Sequence, residues 1–253
     1  MTLRLEKDGA IARLLIDRPD RRNAMTQAMW TQMPLLVADA MADDAVRVLI
    51  LTSATPGMFC AGADITEFAL NAGEADWPAT NQAAIRATQY ALAQADKPVI
   101  AAIDGDCVGG GCGLAIACDL RIASPRARLG ITPAKLGIVY SLFDTKLLVD
   151  LVGPARAKRI LYTGALHGAD DALRIGLIDE IAKDPVAAAH ALARTIAANA
   201  QHSVRSSKAI VRRILDGQAD DDATTLAMFR DAFALPDFAE GVAAFRDKRS
   251  PDF

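Results

Sequence analysis

The sequence predicts an α/β fold in which strands and helices alternate first and helices dominate later. Apolar runs bounded by turn residues occupy residues 10–16, 47–52 and 99–103, and each predicts a strand. Their spacing of roughly 30 to 50 residues leaves room for a helix between consecutive strands, which is typical of βα units around a largely parallel sheet. From residue 142 onward, helical periodicity punctuated by glycine and proline predicts a nearly all-helical end.

Length and composition are those of an ordinary globular chain. With 253 residues, 52% of them apolar, the chain can bury a full core in one large domain or in one domain with a C-terminal appendage. The net charge of −3 and the pI near 5.6, with both signs interspersed, give no reason to expect nucleic acid or an anionic membrane as a partner. The N-terminus carries no charged-then-apolar leader and no stretch approaches the length of a membrane span, so we expect a soluble cytoplasmic protein.

The four cysteines indicate a reducing compartment rather than a disulfide framework. Three of them, Cys107, Cys112 and Cys118, lie in one apolar segment of twelve residues, which is typical of small buried hydrophobic side chains. No CxxC pair is present, and we expect no metal site.

Local signals set the predicted helix boundaries. Asn23 or Thr26 can cap a helix that runs to about residue 41, although Pro34 in its interior must kink the helix or shift its start. A polar stretch over residues 68–80 has weak periodicity and predicts a loop before the next helix. The last helix is predicted over residues 237–249.

The most informative stretch is the glycine triplet at residues 109–111. It follows an apolar strand and precedes a helical segment of small residues, so it brings bare backbone N–H groups to a helix N-terminus, where negative charge is favoured. The alternative ligand for such a site is a phosphate, but Cys112 and Gly113 stand where a nucleotide-binding loop carries its lysine. The alternative is that the glycines merely let the helix pack closely on the sheet.

Further motifs lie before and after the glycine triplet, and together with it they are highly specific. They read Arg-Pro at 18–19, Arg-Asn-Ala at 22–24, FCAGADI at 59–65, GGGCGLAIACD at 109–119, LG at 136–137, LVG at 151–153, TG at 163–164, GLI at 176–178 and EGVAAFRDKRSPDF at 240–253. With them the chain resembles the enoyl-CoA hydratase/isomerase, or crotonase, superfamily over nearly its whole length. The resemblance implies a ββα superhelical core over residues 1–190 and a C-terminal helical trimerisation region over residues 191–253, assembled as a homotrimer or homohexamer.

The resemblance also implies an oxyanion hole for the carbonyl of an acyl-CoA thioester. Its donors would be the backbone N–H groups of Ala63 and Gly110, which favour an enolate because they are aimed at the oxygen that becomes charged. Coenzyme A enters as part of the substrate, and no separate cofactor is implied. The positions that match coenzyme A contacts are Arg22, Ala24, Ala61, Gly62, Asp64, Ile65, Phe245 and Lys248. For Arg22, Phe245 and Lys248 the alternative roles are core packing and a solvated helix end.

Two positions depart from the hydratases of the superfamily. Those enzymes use two glutamates to activate and protonate water, and counting without gaps puts these positions at Gly113 and Pro133. Neither residue transfers a proton, so we do not expect hydration by two carboxyl groups, nor isomerisation that relies on the second glutamate alone.

The loop around Pro133 resembles that of methylmalonyl-CoA decarboxylases. That subgroup carries Thr-Pro, as in Thr132-Pro133 here, and a tyrosine that orients the substrate carboxylate, which Tyr140 matches. Decarboxylation needs no base, only a pocket that twists the carboxylate and stabilises the enolate. Two departures weigh against it, because the subgroup has a histidine where this chain has Ala63 and a glutamate where it has Gly113.

Tyr140 and Asp144 are the candidate catalytic side chains near these motifs. Each has a structural alternative, and for Asp144 it is a place at the start of a helix from residue 145. Asp64 likewise can cap a helix that begins at Ile65. Three hypotheses stay open: an acyl-CoA enzyme that uses Tyr140 or Asp144, a decarboxylase of a malonyl-type CoA, and an acyl-CoA-binding protein that has lost catalysis.

Overall fold

Ten strands form two sheets in the computed structural model, which describes residues 2–71 and 73–253. The strands of the larger sheet, in spatial order, are β1 (Leu3–Asp8), β2 (Ile11–Ile16), β3 (Val48–Ser53), β5 (Val99–Ile103), β7 (Leu120–Ala123) and β10 (Glu180–Ile181). Those of the smaller sheet are β4 (Met58–Cys60), β6 (Asp106–Val108), β8 (Arg128–Gly130) and β9 (His167–Gly168). Among these strands β1–β2 and β8–β9 pair antiparallel and all other pairs are parallel, which confirms the predicted sheet.

Eleven α-helices lie in the same described ranges. They are α1 (Gln27–Ala42), α2 (Ile65–Asn71), α3 (Trp77–Ala93), α4 (Gly110–Ala117), α5 (Leu142–Val152), α6 (Pro154–Thr163), α7 (Ala169–Ile175), α8 (Pro185–Ala197), α9 (Gln201–Leu215), α10 (Ala223–Ala232) and α11 (Pro236–Asp247). The nearly all-helical end is confirmed, since β9 and β10 have two residues each. Within the described chain, no helix has both the length and the apolar character that a bilayer crossing requires.

A repeat of two strands and a helix explains why there are two sheets. β3, β5 and β7 lie side by side in the larger sheet, and each leads into a short strand of the smaller one, β4, β6 or β8. The helices α2, α4 and α5 follow these three strand pairs along the chain. This is the ββα superhelix that the resemblance implies.

The central strands are apolar on both faces because helices cover both sides of the larger sheet. Leu49 and Ile103 face the main core cluster, to which α1, α3 and α4 contribute. Ile50 and Ile100 point the other way and pack against Ala189 of α8. The period-two alternation of a strand therefore serves two cores at once.

The four cysteines are free and buried, as predicted. Burial raises the pKa of the Cys60 and Cys118 thiols to about 12. At neutral pH these thiols are therefore protonated and act as small hydrophobic side chains.

Helix α1 continues through Pro34 because a neighbouring helix supplies the missing hydrogen bond. Its start is not shifted, since the Thr26 hydroxyl accepts from the N–H of Met29 at 3.3 Å and caps the helix. A proline deprives the carbonyl four residues earlier of its N–H donor, and here that carbonyl belongs to Trp30. The buried Thr88 hydroxyl of α3 donates to this carbonyl at 2.6 Å.

Two features of the first half differ from expectation. The prediction of a loop over residues 68–80 is wrong, because α2 extends into this range and α3 already begins at Trp77. Ala72, in the same range, lies outside the described residues. The rings of Phe68 and Trp77 meet edge to face with centroids 4.8 Å apart and join the two helices. The hairpin of β1 and β2 was not predicted, because charged residues interrupt β1, and its turn uses Gly9 at φ 55°.

The C-terminal helices lie at the amino end of the central strands. Arg47, directly before β3, donates through Nη1 to the carbonyls of Ala197 at 2.7 Å and Phe253 at 2.9 Å. The predicted boundary between residues 190 and 191 falls inside α8, which packs on the larger sheet. The last helix spans nearly the predicted residues, and Lys248, directly after its last residue, takes the left-handed φ of 52°.

We predict that the protein is a homotrimer or homohexamer in solution. Phe229, Phe233 and Phe245 expose 70%, 54% and 86% of their surface, and burying such an apolar face between subunits is favourable. Light scattering at micromolar concentration should report at least three times the chain mass of 26.8 kDa. A stable monomer would contradict this, and replacing Phe229 and Phe245 by serine should weaken the assembly.

Candidate functional site

The loop after β4 and the glycine triplet after β6 meet with almost no space between them. A Cβ on Gly62 would lie 2.7 Å from the carbonyl oxygen of Val108 and 3.1 Å from the nitrogen of Gly110. Glycine is therefore required at position 62, where φ is 96°. The nitrogen of Ala63 in turn lies 3.5 Å from the point where a Cβ of Gly110 would stand, so the two nitrogens are close neighbours.

The loop after β4 is held by a short pairing with residues 22–25. The Met25 N–H donates to the Gly62 carbonyl at 2.8 Å, and the Asp64 N–H donates to the Met25 carbonyl at 2.9 Å, which makes an isolated parallel bridge between Met25 and Ala63. In such a bridge the N–H of the central residue points away from the partner segment. The N–H of Ala63 is left without a protein acceptor in the described chain.

Gly110 supplies a second free donor. It is the first residue of α4, and the first N–H groups of a helix have no partner within the helix. The first bond of this turn runs from the Gly113 N–H to the Gly109 carbonyl, at 3.0 Å. The dipole of α4 adds partial positive charge at this end. Two neighbouring free N–H groups of this kind can stabilise an oxyanion.

Close packing, the alternative role of the glycine triplet, applies to Gly111. A Cβ at this position would overlap the backbone of Cys60. Gly109 takes the left-handed φ of 56° that turns the chain from β6 into α4. Within the triplet, Gly111 therefore allows the close packing, whereas Gly110 supplies the free N–H donor.

Other side chains fill the space beside Gly113, the position predicted to match the first hydratase glutamate. A Cβ on Gly113 would overlap the amide of Gln89, from α3, and would lie 2.8 Å from the hydroxyl oxygen of Tyr140. The second position, Pro133, begins a short 3-10 turn, Pro133–Lys135, in a largely exposed loop. A glutamate side chain therefore has no room at position 113 unless Gln89 and Tyr140 move.

Gln89, Tyr140 and Asp144 form a buried polar cluster beside the first turn of α4. In the orientation that satisfies its partners, the Gln89 amide nitrogen donates to Asp144 Oδ2 at 3.2 Å. Asp144 is 1% exposed. The Tyr140 hydroxyl is buried and has no hydrogen-bond partner among the described residues.

Burial changes the acidity of both ionisable members of the polar cluster. It raises the pKa of the Asp144 carboxyl, and a hydrogen bond from Ser141 and the charge of Arg86 offset this in part. Burial also raises the pKa of Tyr140 well above its ordinary value, and the negative charge of Asp144 adds to the effect. At neutral pH Tyr140 is therefore a neutral hydroxyl, and Asp144 is a stronger base than an exposed aspartate.

The helix that carries Asp144 begins earlier than predicted. It starts at Leu142 instead of residue 145, because the hydroxyl of Ser141 accepts from the Asp144 N–H at 3.2 Å and caps the helix. Asp144 therefore lies inside the first helical turn, with its carboxylate buried, rather than before the helix.

The predicted coenzyme A positions separate into two groups in space. The group on the bridged segments, next to the two free donors, consists of Arg22, Ala24, Ala61, Gly62, Asp64 and Ile65. A hydrogen bond from Asn23 to Ser53 fixes this group at the carboxyl end of β3. Phe245 and Lys248 belong to the C-terminal helices at the amino end, and a strand of six residues is about 20 Å long. One chain does not bring these two residues to the donor pair.

Arg22 and Asp64 each make an ion pair. Arg22 donates through Nη2 to Asp106 at 2.9 Å, while its side chain stays 63% exposed and open to an anionic ligand. Asp64 accepts from the Thr66 N–H at 3.0 Å, which confirms its predicted cap at the start of α2. Its other carboxylate oxygen accepts from Arg18 Nη1 at 2.7 Å.

Comparison with known proteins decides the family. A family model described as enoyl-CoA hydratase/isomerase matches residues 6–253. The chain belongs to this family. The crotonyl-CoA hydratase of Syntrophomonas wolfei is 36% identical over 257 residues, which cover 98% of this chain and 96% of its own. The short-chain-enoyl-CoA hydratase of Clostridium acetobutylicum is 35% identical over 253 residues, 97% of this chain and 94% of its own.

Solved structures agree with this family assignment. An enoyl-CoA hydratase/isomerase family protein from Hyphomonas neptunium matches with a TM-score of 0.96 and 40% identity, covering 100% of this chain and 97% of its own. An enoyl-CoA hydratase/carnitine racemase from Magnetospirillum magneticum matches with a TM-score of 0.94 and 34% identity, covering 100% and 95%. The chain is thus an acyl-CoA-processing member of the enoyl-CoA hydratase/isomerase family, with the crotonase fold.

Two residues at this family member's site were not assigned a role from the sequence. Gln89 lies inside a predicted helix and belongs to none of the motifs, although it contacts Asp144 and lies against Gly113. Arg18 lies in a matched motif, but its partner Asp64 is 46 residues away in the chain. Neither contact has a local signal, because each joins separate elements.

Proposed function

We propose that this protein is an acyl-CoA enzyme that forms a thioester enolate and moves protons with Tyr140 and Asp144 in place of the two hydratase glutamates. The observation that carries the proposal is the pair of free N–H donors at Ala63 and Gly110 in a member of this family. Coenzyme A is part of the substrate, and no separate cofactor takes part. The reaction class is that of a lyase or an isomerase.

The donor pair acts on the thioester oxygen, which gains negative charge when the enolate forms. Donors that are already in position need no reorganisation at that moment, and losing one typically costs ~2.7 to 4 kcal/mol of transition-state stabilisation. Ala63 is positioned by the bridge to Met25, and Gly110 by the start of α4. Main-chain donors of this kind stay protonated at any working pH.

Tyr140 and Asp144 supply the proton transfer. The Tyr140 hydroxyl lies beside Gly113, about one helical turn from the Gly110 donor, and Asp144 shares the same buried cluster. In the proposed relay Asp144 receives a proton from the substrate and returns it, the Gln89 amide holds the carboxylate in place, and the unpartnered Tyr140 hydroxyl is free to bind the substrate. One relay suits an isomerisation, in which a proton leaves one carbon and returns to another, better than hydration by two carboxyl groups.

A second function, decarboxylation of a malonyl-type CoA, is favoured by the unpartnered Tyr140 hydroxyl. A buried neutral hydroxyl without an acceptor is suited to hold a substrate carboxylate. Loss of carbon dioxide from that substrate would leave the same enolate at the same two donors. Asp144 weighs against this function, because its negative charge repels a second carboxylate.

The proposed assembly and location follow from the same residues. Since one chain keeps Phe245 and Lys248 away from the donor pair, contacts between these residues and the adenine end of coenzyme A require a second subunit. The four free, buried cysteines support a reducing compartment, and we place the protein in the cytoplasm.

Hydration of crotonyl-CoA is predicted to be very slow or undetectable, because no carboxyl group stands at Gly113 or Pro133. The measurement is steady-state turnover of crotonyl-CoA, with a 3-enoyl-CoA and methylmalonyl-CoA assayed on the same preparation. A turnover number of ~1 to 10³ per second on crotonyl-CoA would contradict the prediction. Carbon dioxide release from methylmalonyl-CoA would select the decarboxylase, and tight binding without any turnover would indicate a binding protein.

Removal of one donor tests the enolate directly. Gly110→Pro deletes the N–H at the first position of α4, where a helix accepts proline, and should lower kcat on the true substrate by on the order of 10² to 10³-fold. Gly110→Ala is the matched control, because it keeps the N–H.

Both Gly110 variants bring a Cβ to within 3.1 Å of Trp30 Cζ2, so alanine controls for this contact, although only proline adds a Cδ beside Gly109. The alanine protein should therefore keep more activity if both remain folded, as judged by thermal unfolding. Near-wild-type turnover by a folded proline variant would show that the triplet is a packing device.

Asp144→Asn should lower activity without lowering stability. We expect kcat to fall by on the order of 10² to 10⁴-fold, as for the loss of a general base. Because the folded-state pKa of Asp144 is raised, ionisation of Asp144 destabilises the fold as pH rises through that pKa, and asparagine removes this cost. At neutral pH the Asp144→Asn variant should unfold at the same temperature as the wild type or higher. The control for activity is Asp150→Asn, at an exposed site of the same helix, which should keep full activity. Unchanged kcat in Asp144→Asn would exclude the proton relay.

A further inference from the structure

Arg18 connects the two segments that position the Ala63 donor. Its Nη1 atom donates to the carbonyl of Ala24 at 2.8 Å and to Asp64 Oδ2 at 2.7 Å. These acceptors lie on opposite segments of the bridge between Met25 and Ala63. One guanidinium nitrogen therefore joins both sides of the bridge.

Asp64 fixes the end of the donor loop through three contacts. Its N–H donates to Met25, its Oδ1 accepts from the Thr66 N–H at 3.0 Å, and its Oδ2 accepts from Arg18. Burial acts to raise the pKa of Asp64, but the Arg18 guanidinium and the N–H donors outweigh it, and the pKa lies below its usual range. The carboxylate is therefore charged at neutral pH and keeps its hold on Arg18.

Arg18 is itself held in place at its backbone. Its N–H donates to Asn23 Oδ1 at 2.8 Å, and its side chain is 22% exposed. The loop that it braces contains Gly62 at φ 96°, and the bridge beside the donor consists of a single residue pair. A donor on such a loop needs an external restraint to stay aimed at one atom.

We propose that Arg18 is a positioning residue of the oxyanion hole, which sets the direction of the Ala63 N–H by tying Ala24 to Asp64 across the Met25–Ala63 bridge. This inference rests on the proposed function, since it concerns the same donor. Both hydrogens of one planar nitrogen are used, each toward a different segment. Lysine has the charge but not the fixed geometry, so it replaces this function incompletely.

The experiment measures how strongly the donor pair polarises a bound thioester carbonyl, and it does not depend on turnover. The probe is 4-(dimethylamino)cinnamoyl-CoA, whose absorption maximum moves to longer wavelength when its thioester carbonyl is polarised by hydrogen-bond donors. The bound spectrum and the dissociation constant are measured for the wild type, Arg18→Met, Arg18→Lys and Arg126→Met. Arg126→Met is the matched control, because it removes an arginine–carboxylate pair with Asp104 outside the donor loop.

We expect a red shift in the wild type and in Arg126→Met, a much smaller shift in Arg18→Met and an intermediate one in Arg18→Lys. With the true substrate, kcat of Arg18→Met should fall by on the order of 10 to 10²-fold, with a smaller change in KM, because misplacement of the donor affects the transition state more than binding. If Arg18→Met fails to fold, Arg18→Met/Asp64→Asn, which removes both charges, takes its place with the same expected loss of shift.

The outcomes separate the two proposals. Probe that binds to the wild type without a red shift would refute the oxyanion hole itself, and with it the proposed function. A normal shift in the wild type together with an undiminished shift in folded Arg18→Met or in the double variant would overturn the role of Arg18 alone. An equal loss in Arg126→Met would also overturn it, since the effect would then not be specific to the donor loop.

Discussion

The close approach of two backbones at the donor pair is the constraint on which the rest of the site depends. A side chain on Gly62 would strike the Val108 carbonyl, and one on Gly111 would strike the backbone of Cys60, so each loop requires a glycine where it faces the other. β4 and β6 run parallel in the smaller sheet and deliver both loops to the same edge. The two loops can come this close only because no Cβ stands between them.

The irregular backbone around the donor pair is stabilised by polar side chains instead of a regular ladder. Asn23 is fully buried at the left-handed φ of 56°, accepts from the Arg18 N–H and donates to the Ser53 hydroxyl at 2.7 Å and the Phe59 carbonyl at 3.0 Å. Buried polar groups that are paired in this way rigidify a loop. The segment around the donor pair thus combines a glycine at positive φ with long-range restraint by Asn23 and Arg18.

The polar cluster of Gln89, Tyr140 and Asp144 lowers the free energy of unfolding of the protein. A buried carboxylate with a raised pKa and a buried hydroxyl without a partner both disfavour folding. Groups of this kind concentrate where chemistry needs them. In this family member the cluster fills the space beside Gly113, and its three side chains come from elements other than those that supply the two N–H donors.

The sequence by itself determined the α/β class, the helical end, the donor loops and the family motifs, because apolar periodicity and required glycines are local properties of the chain. Only the tertiary structure decided which side chains surround Gly113 and which residue connects Ala24 to Asp64. Gln89 and Tyr140 reach the first turn of α4 from two other segments of the chain, and Arg18 meets a carboxylate 46 residues away. Such contacts depend on how whole elements pack, and neither periodicity nor a short motif predicts contacts between residues so far apart in the sequence.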